Sequence, residues 1–540
     1  MAGLLPGALA LGLLALLVGG ALAALAAAAP TFAPGALWAD AYLRHVVVFT
    51  IWQALLSTLL SVGAAVPVAR ALARRRAFPG RTALLRLFGL PLVIPSIVAV
   101  FGIVAVYGQA GAINRVAAGF GLPVGQYLYG LGGILIGHVF FNLPLATRLL
   151  LPAWEAVPGE TWRLASQLGM RSAAIFRLIE WPLLRQVLPG VAGLVFMLCF
   201  TSFAVVLVLG GGPAATTIEV AVYQALRFDF DLARTVTLAL VQIGLCAAFV
   251  GLGQALGRPM PLAPTAQRPQ DRPDLGTLAG RLGDALAIGV AGLYVLLPLA
   301  AVLYAGLAGP LGAVLRQPAL WQAAARSLAV ALGAGGLSLA LGWALLLTVR
   351  ELRLRRYRPL LADLVEVGGS LVLVVPPLVL GAGLFVLLSP VADVFSVALG
   401  LVVIVNAVMG LPYVIRVLGP PVMRVAEQHD RLCASLGIAG WNRLRLVEWP
   451  AARKAAGLAL ALVSALAAGD LGAIALFGTQ DTATLPLLLY QRLSSYRLAE
   501  AAVTALVLVA LSLGLFAAIE RAVGGSPRRS LRRSQGRGRA

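Results

Sequence analysis

The chain has 540 residues, of which 60% are hydrophobic and only 12% charged, and its mean hydropathy is +0.93. Soluble domains carry roughly 45–50% apolar and about 25% charged residues, so composition excludes a globular soluble enzyme; a disordered chain, which needs low hydrophobicity, is excluded too. The net charge is +21, but the arginines gather in short loops between apolar runs, which is the pattern of a membrane topology code and not of a nucleic-acid-binding surface.

A membrane span takes about 20 mostly apolar residues, and about twelve such stretches follow one another along the chain. The first six lie near 5–29, 46–69, 87–108, 129–147, 187–209 and 235–256. The second six lie near 285–307, 327–349, 367–388, 397–417, 455–477 and 499–519. The first stretch has no charged residue before Asp40 and exceeds the usual length of a signal-peptide core, so it reads as a retained span. Arg70, Arg74, Arg75, Arg76, Arg81 and Arg86 follow the second span, whereas only Arg115 follows the third. Arg148 to Arg185 supply a second basic loop, and Arg350 to Arg358 and Arg416 to Lys454 repeat both in the second half. Basic loops face the cytoplasm. The expectation is an all-α, multi-pass protein of a bacterial inner membrane, with both termini cytoplasmic. The tail 521–540 is rich in arginine and reads as a basic cytoplasmic segment against anionic headgroups.

Residues 257–284 interrupt the apolar pattern with prolines and charges and read as a cytoplasmic linker near mid-chain. The two sides of it are copies. RLASQLGMRSAAIFRLIEWPLLR, from Arg163, matches RLCASLGIAGWNRLRLVEWPAAR, from Arg431, without a gap at an offset of 268 residues. The same offset aligns Leu143-Pro144 with Leu411-Pro412 and Arg148 with Arg416. The chain therefore divides into a first repeat at 1–256 with its long basic loop at 148–186, the linker at 257–284, and a second repeat at 285–520 with its loop at 416–454. An even number of spans per half makes the repeats parallel, related by an axis along the membrane normal.

Each matched loop reads as helix, turn, helix. Leu164, Ala165 and Leu168 are expected to form one apolar face, with Gly169 as the helix stop and Ser172 as an N-cap; Pro182 closes that helix or starts the next. Leu432, Cys433, Leu436, Gly437 and Pro450 repeat the pattern. Both copies also keep an outward polar set that includes Arg163, Glu180, Arg431 and Glu448. Two like-shaped knobs on the cytoplasmic face suit docking to a symmetric dimer; the alternative is a packed elbow.

The loop resembles the signature of ABC-importer permeases, with Ala165, Gly169, Ile179 and Pro182 at the matching places, as are Gly437, Val447 and Pro450. It departs at the opening, where Arg163 and Arg431 replace a glutamate. The fused two-repeat architecture is similar to the iron(III)-type and thiamine-type permeases. The stretches that carry this are Gln167–Gln186, Phe196–Leu226, Gly469–Gly478 and Thr484–Arg497, and the thiamine type resembles them best. The resemblance implies the type I importer fold, coupling helices seated on a dimer of ABC ATPase subunits, and a periplasmic or extracellular substrate-binding protein. It also implies thiamine or thiamine pyrophosphate as cargo; iron(III), a small anion or a polyamine remain alternatives, and an ion-coupled secondary transporter is a further one.

No phosphate-binding GxxxxGK[ST] loop occurs, and Lys454 is the sole lysine. No catalytic site, cofactor or metal is expected in this chain; ATP and magnesium would belong to the partner. Cys199, Cys246 and Cys433 form no CxxC pair, and His45, His138 and His429 lack metal-ligand spacing. Asp470 is the exceptional charge inside a span, where the first copy has Ser202. It either lines the substrate path and favours a cationic ring, or is a hydrogen-bonded packing aspartate near the outer interface. Gln53, Asn142, Gln242 and Asn406 are expected to bond between helices. The outer loops 210–234 and 478–498 are candidates for a gate and for binding-protein docking, or for interfacial packing.

Overall fold

A computed structural model describes residues 4–28, 40–121, 125, 127–256, 272–370, 375–438 and 440–524. The basic tail beyond Gly524 and linker residues 257–271 lie outside the described residues. Among those described, helices and turns make up the chain and no strand occurs. Eleven helical stretches are long and apolar enough to cross a membrane, and the chain is a multi-pass membrane protein.

The ninth expected span is where structure and expectation part. Around 367–388 the chain makes two shorter helices, Pro359–Ser370 and Pro377–Leu388. The second has 12 residues, about 18 Å, against about 30 Å of hydrocarbon. Pro376 and Pro377 set its start, since proline fits the first turn of a helix and not its interior. The third span of the first half also opens with a 12-residue helix, Ser96–Tyr107 after Pro95, but the whole stretch Ser96–Gly119 is long enough to cross. A turn separates that first helix from Ala112–Gly119.

Several helices overshoot the bilayer instead. Ala41–Arg74 has 34 residues and Pro318–Arg355 has 38, so each extends well past the roughly 30 Å of hydrocarbon. Arg70, Arg74 and Arg75 at one end, and Arg350 to Arg355 at the other, therefore stand at the rim and reach other elements.

The halves pack alike. Ala41–Arg74 lies against Leu131–Glu155 and Trp181–Phe200, as Pro318–Arg350 lies against Ala398–Ser435 and Trp449–Ala468. The first helix of each half, however, packs on the opposite half. Leu5–Ala27 lies on Pro318–Arg350 and Pro377–Leu388, while Leu278–Ala308 lies on Ser96–Tyr107 and Ala41–Arg74. Glycine makes the approach close enough. A Cβ on Gly102 would stand 2.4 Å from the Pro298 carbonyl oxygen, and one on Gly383 would stand 2.7 Å from that of Ala21. Gly7 donates its N–H to Thr348 Oγ1 at 3.1 Å. Buried polar side chains tie helices within each half: Gln53 donates to the Cys199 carbonyl, Asn142 to Cys199 Sγ, Gln242 to Glu219 and Asn406 to Asp470. Thr50 accepts the Ile218 N–H at 3.0 Å, and Ser327 accepts the Leu485 N–H at 2.9 Å, so the same device anchors the short helix after the fifth span in both halves.

Candidate coupling surface and membrane cavity

The first matched loop forms a helix over Gly159–Gln167 and then turns at Gly169, whose φ of +59° suits glycine. Gly437 repeats this at +65°. A Cβ at either position would meet nothing within 4 Å, so the backbone angle and not space favours glycine here.

The expected single apolar face divides in two. Ala165 and Cys433 turn inward and are buried. Ala165 packs with Trp162 and Ile175. Leu164 and Leu168 turn outward at 56% and 67% exposure, and Leu432 and Leu436 at 55% and 62%. The reason is helical spacing: adjacent residues point about 100° apart, so Leu164 and Ala165 cannot share one face, whereas residues four apart do. Each loop thus presents two leucines beside an exposed arginine, Arg163 or Arg431. Exposed apolar pairs of this kind mark interaction surfaces.

Glu180 and Glu448 are not part of that outward set. Both are buried, at 0% and 5% exposure. Ser172 is the first residue of its helix and not the N-cap; its hydroxyl accepts from Arg70 at 3.0 Å. Pro182 does not end the helix. A wide turn at Phe176–Glu180 passes directly into Trp181–Phe200, and Pro182 sits in the first turn.

Each buried glutamate is gripped by arginines. Glu448 accepts from Arg443 at 2.7 Å and from Arg350. Arg443 also bonds Asp430, which Arg355 reaches at 3.3 Å. Glu180 accepts from Arg70 at 2.6 Å and from Arg272 at 2.6 Å. Arg70 and Arg350 come from equivalent helices, but the second arginine does not. At the 268-residue offset the first loop has Ile175 where the second has Arg443, and Trp162 where the second has Asp430. The linker fills the gap. Arg272 lies over the Trp162 ring, 4.3 Å from its centroid, and reaches Glu180 from there. Asp274 next to it pairs with Arg272 at 3.1 Å and Arg74 at 3.5 Å. Burial alone would raise the Asp274 carboxyl; the hydrogen bond and charge of Arg272, with Arg74 and Arg70, hold it below the ordinary carboxylate range. These partners lie outside the matched loops, so the loop comparison did not reveal them. The Ile175/Arg443 mismatch beside a matched glutamate was the available signal.

Asp470 stands where the chain breaks between Trp449–Ala468 and Gly472–Phe477. Its carboxylate accepts from Gly472 N at 3.1 Å, Ala473 N at 3.0 Å and Asn406 at 3.2 Å. It also lines a cavity of about 150 Å³. Thr201, Phe203, Ala204 and Glu219 line the cavity from the first half, and Leu471 and Gly472 from the second. Ser96, Pro377 and Leu378, at the starts of the two short third helices, complete the wall. Ser202 itself is not in the lining, although both its neighbours are. Phe203 and Leu471, and Ala204 and Gly472, are 268-residue equivalents. The cavity therefore sits between the halves, on their pseudo-symmetry axis.

No family model matches the chain. Individual relatives do, nearly end to end. It is 48% identical to the thiamine transport system permease protein of Brucella abortus (strain 2308) over 518 residues, covering 96% of this chain and 94% of that protein. It is 48% identical to the same-named protein of Escherichia coli (strain K12) over 489 residues, 91% of each. The Haemophilus influenzae protein is 38% identical over 520 residues, 95% of each. With two matched loops, interlocked halves and identity of this extent, the chain belongs to the family of thiamine transport system permease proteins.

Proposed function

We propose that this chain is the membrane subunit of an ATP-driven importer of thiamine or its phosphates. The observation that carries the reading is near-full-length identity to permeases named for thiamine transport. In this reading the chain performs no covalent chemistry. ATP and magnesium are held by a separate ABC ATPase dimer, which docks on the cytoplasmic face. Leu164 and Leu168 seat in one ATPase subunit, and Leu432 and Leu436 in the other. Gly169 and Gly437 shape the turns behind them. Glu180 and Glu448, locked to Arg70 and Arg350, pass the motion of each loop to the long helices Ala41–Arg74 and Pro318–Arg355. A substrate-binding protein delivers cargo at the opposite face, where the segments 210–234 and 478–498 lie. Basic loops set the orientation, with both termini on the cytoplasmic side of a bacterial inner membrane.

The test is ATP-dependent uptake of labelled thiamine into proteoliposomes that contain this chain, its ATPase and its binding protein. Uptake that requires all three supports the reading. Absence of ATP stimulation overturns it. The carboxylate-lined cavity favours an organic cation over a small anion as cargo.

A further inference from the structure

The cavity between the halves is asymmetric in charge. Asp470 enters it from the second half and Glu219 from the first, whereas their repeat equivalents are Ser202 and, with the one-residue-shorter offset that aligns Tyr223-Gln224 with Tyr490-Gln491, Pro486. No arginine, lysine or histidine is among its lining residues. Glu219 is 1% exposed; its Oε1 accepts from Gln242 at 3.0 Å, and its Oε2 is buried with no hydrogen-bond partner. A buried carboxyl oxygen without a partner is costly. Asp470 is satisfied by the backbone and Asn406, so its geometry is fixed before any ligand arrives. Phe203 adds an aromatic surface to the same wall and stacks edge-on to Tyr223 at 5.3 Å. Two carboxyl groups, one ring and no opposing cation form a receptor for a flat, positively charged ring that needs few donors of its own.

We propose that this cavity is a transit site for an organic cation, with Asp470 and Glu219 as its carboxyl partners and Phe203 as its stacking surface. Its position on the pseudo-symmetry axis makes it accessible to both halves as they move. Ser96, Pro377 and the chain breaks at 201–203 and 469–471 place helix ends in its wall, and helix ends are where small rotations change a cavity most. The identity of the cation as the thiazolium of thiamine rests on the proposed function; the charge of the site does not.

The test uses the assembled complex in lipid with Ser96→Cys, which puts a thiol on the cavity wall. Its rate of maleimide labelling is measured with added thiamine, with tetramethylammonium, and with a thiamine analogue whose thiazolium is replaced by an uncharged thiophene. Both cations are expected to slow labelling several-fold, and the uncharged analogue to leave it unchanged. In Asp470→Asn and Glu219→Gln backgrounds, half-protection should need about tenfold more cation. Asparagine keeps one oxygen and so can accept one of the two backbone N–H bonds, and glutamine can still accept from Gln242, so each change removes a carboxyl group at limited cost to the local fold. Equal protection by the uncharged analogue, or protection indifferent to both neutralising changes, overturns the proposal. Uptake of thiamine is measured in parallel. Protection by both cations without thiamine uptake keeps the cation site and discards the vitamin assignment. Thiamine uptake without cation protection keeps the importer and discards this site.

Discussion

Glu180 and Glu448 illustrate how a matched residue changes meaning once its neighbours are known. In the sequence they are two glutamates before a Trp-Pro pair. In the structure each is a buried anion held by two guanidiniums. Removing one partner of such a buried group costs about 3–5 kcal/mol, because charges are left unpaired. Glu180→Ala and Glu448→Ala should therefore lower the thermal midpoint of the purified chain markedly. Combining Glu180→Ala with Arg272→Ala should cost less than the two separate losses together, since the charges vanish in pairs. Strict additivity would contradict the cluster. The leucines behave oppositely. Leu164→Asp with Leu168→Asp, or the same pair of changes at Leu432 and Leu436, alters exposed positions and should leave the stability within roughly 0.5 kcal/mol of the parent. The expected loss is ATPase copurification. If the ATPase remains bound, the docking assignment is wrong.

At the scale of elements, the linker is more than a connection. Its Arg272 takes the place that Arg443 occupies in the second half, and Asp274 and Asp284 bind it to Arg74 and Arg75. Arg272→Ala should therefore weaken coupling, read as fewer cargo molecules moved per ATP hydrolysed with the ATPase still bound. Restoring the second half's arrangement in the first loop, by Ile175→Arg with Trp162→Asp, should recover that ratio in the Arg272→Ala background. No recovery, with the chain folded, would show that the linker matters for another reason. The pH dependence has a definite sign. The Asp274 carboxyl is held below its ordinary value, so its contribution is complete above about pH 4, the unfolded value, and is lost only in stronger acid. Proteolysis of the linker should be unchanged from pH 8 to pH 5; a rise within that window would contradict the clamp.

Over the whole molecule, the exchange of first helices joins the halves independently of the covalent link. Leu5–Ala27 belongs by packing to the second half, and Leu278–Ala308 to the first. Glycines 7, 102 and 383 allow backbone-level approach at these seams. A protease site placed within 257–271 and cut after assembly should thus leave two fragments that still migrate together in mild detergent. Separation on cutting would mean that the linker, and not the helix exchange, holds the halves together. The repeat also accounts for the cavity, because equivalent chain breaks from both halves meet at one place.

Apolar run length determined that this protein crosses a membrane many times, since hydrocarbon tolerates only segments that satisfy their own backbone. The 268-residue offset determined the repeat, and with it the two loops. The sequence also singled out Asp470, because a charge in an otherwise neutral span needs a reason. Tertiary structure alone decided the rest. Sequence spacing constrains neighbours within one helix, but not which distant helix lies opposite, so the pairing of Glu180 with Arg272 and the meeting of Asp470 with Glu219 were invisible along the chain. The third span of the second half failed as a full span because hydropathy measures solvent preference and not direction. Pro376 and Pro377 broke one such run into pieces too short to cross, and that break helped to open the cavity.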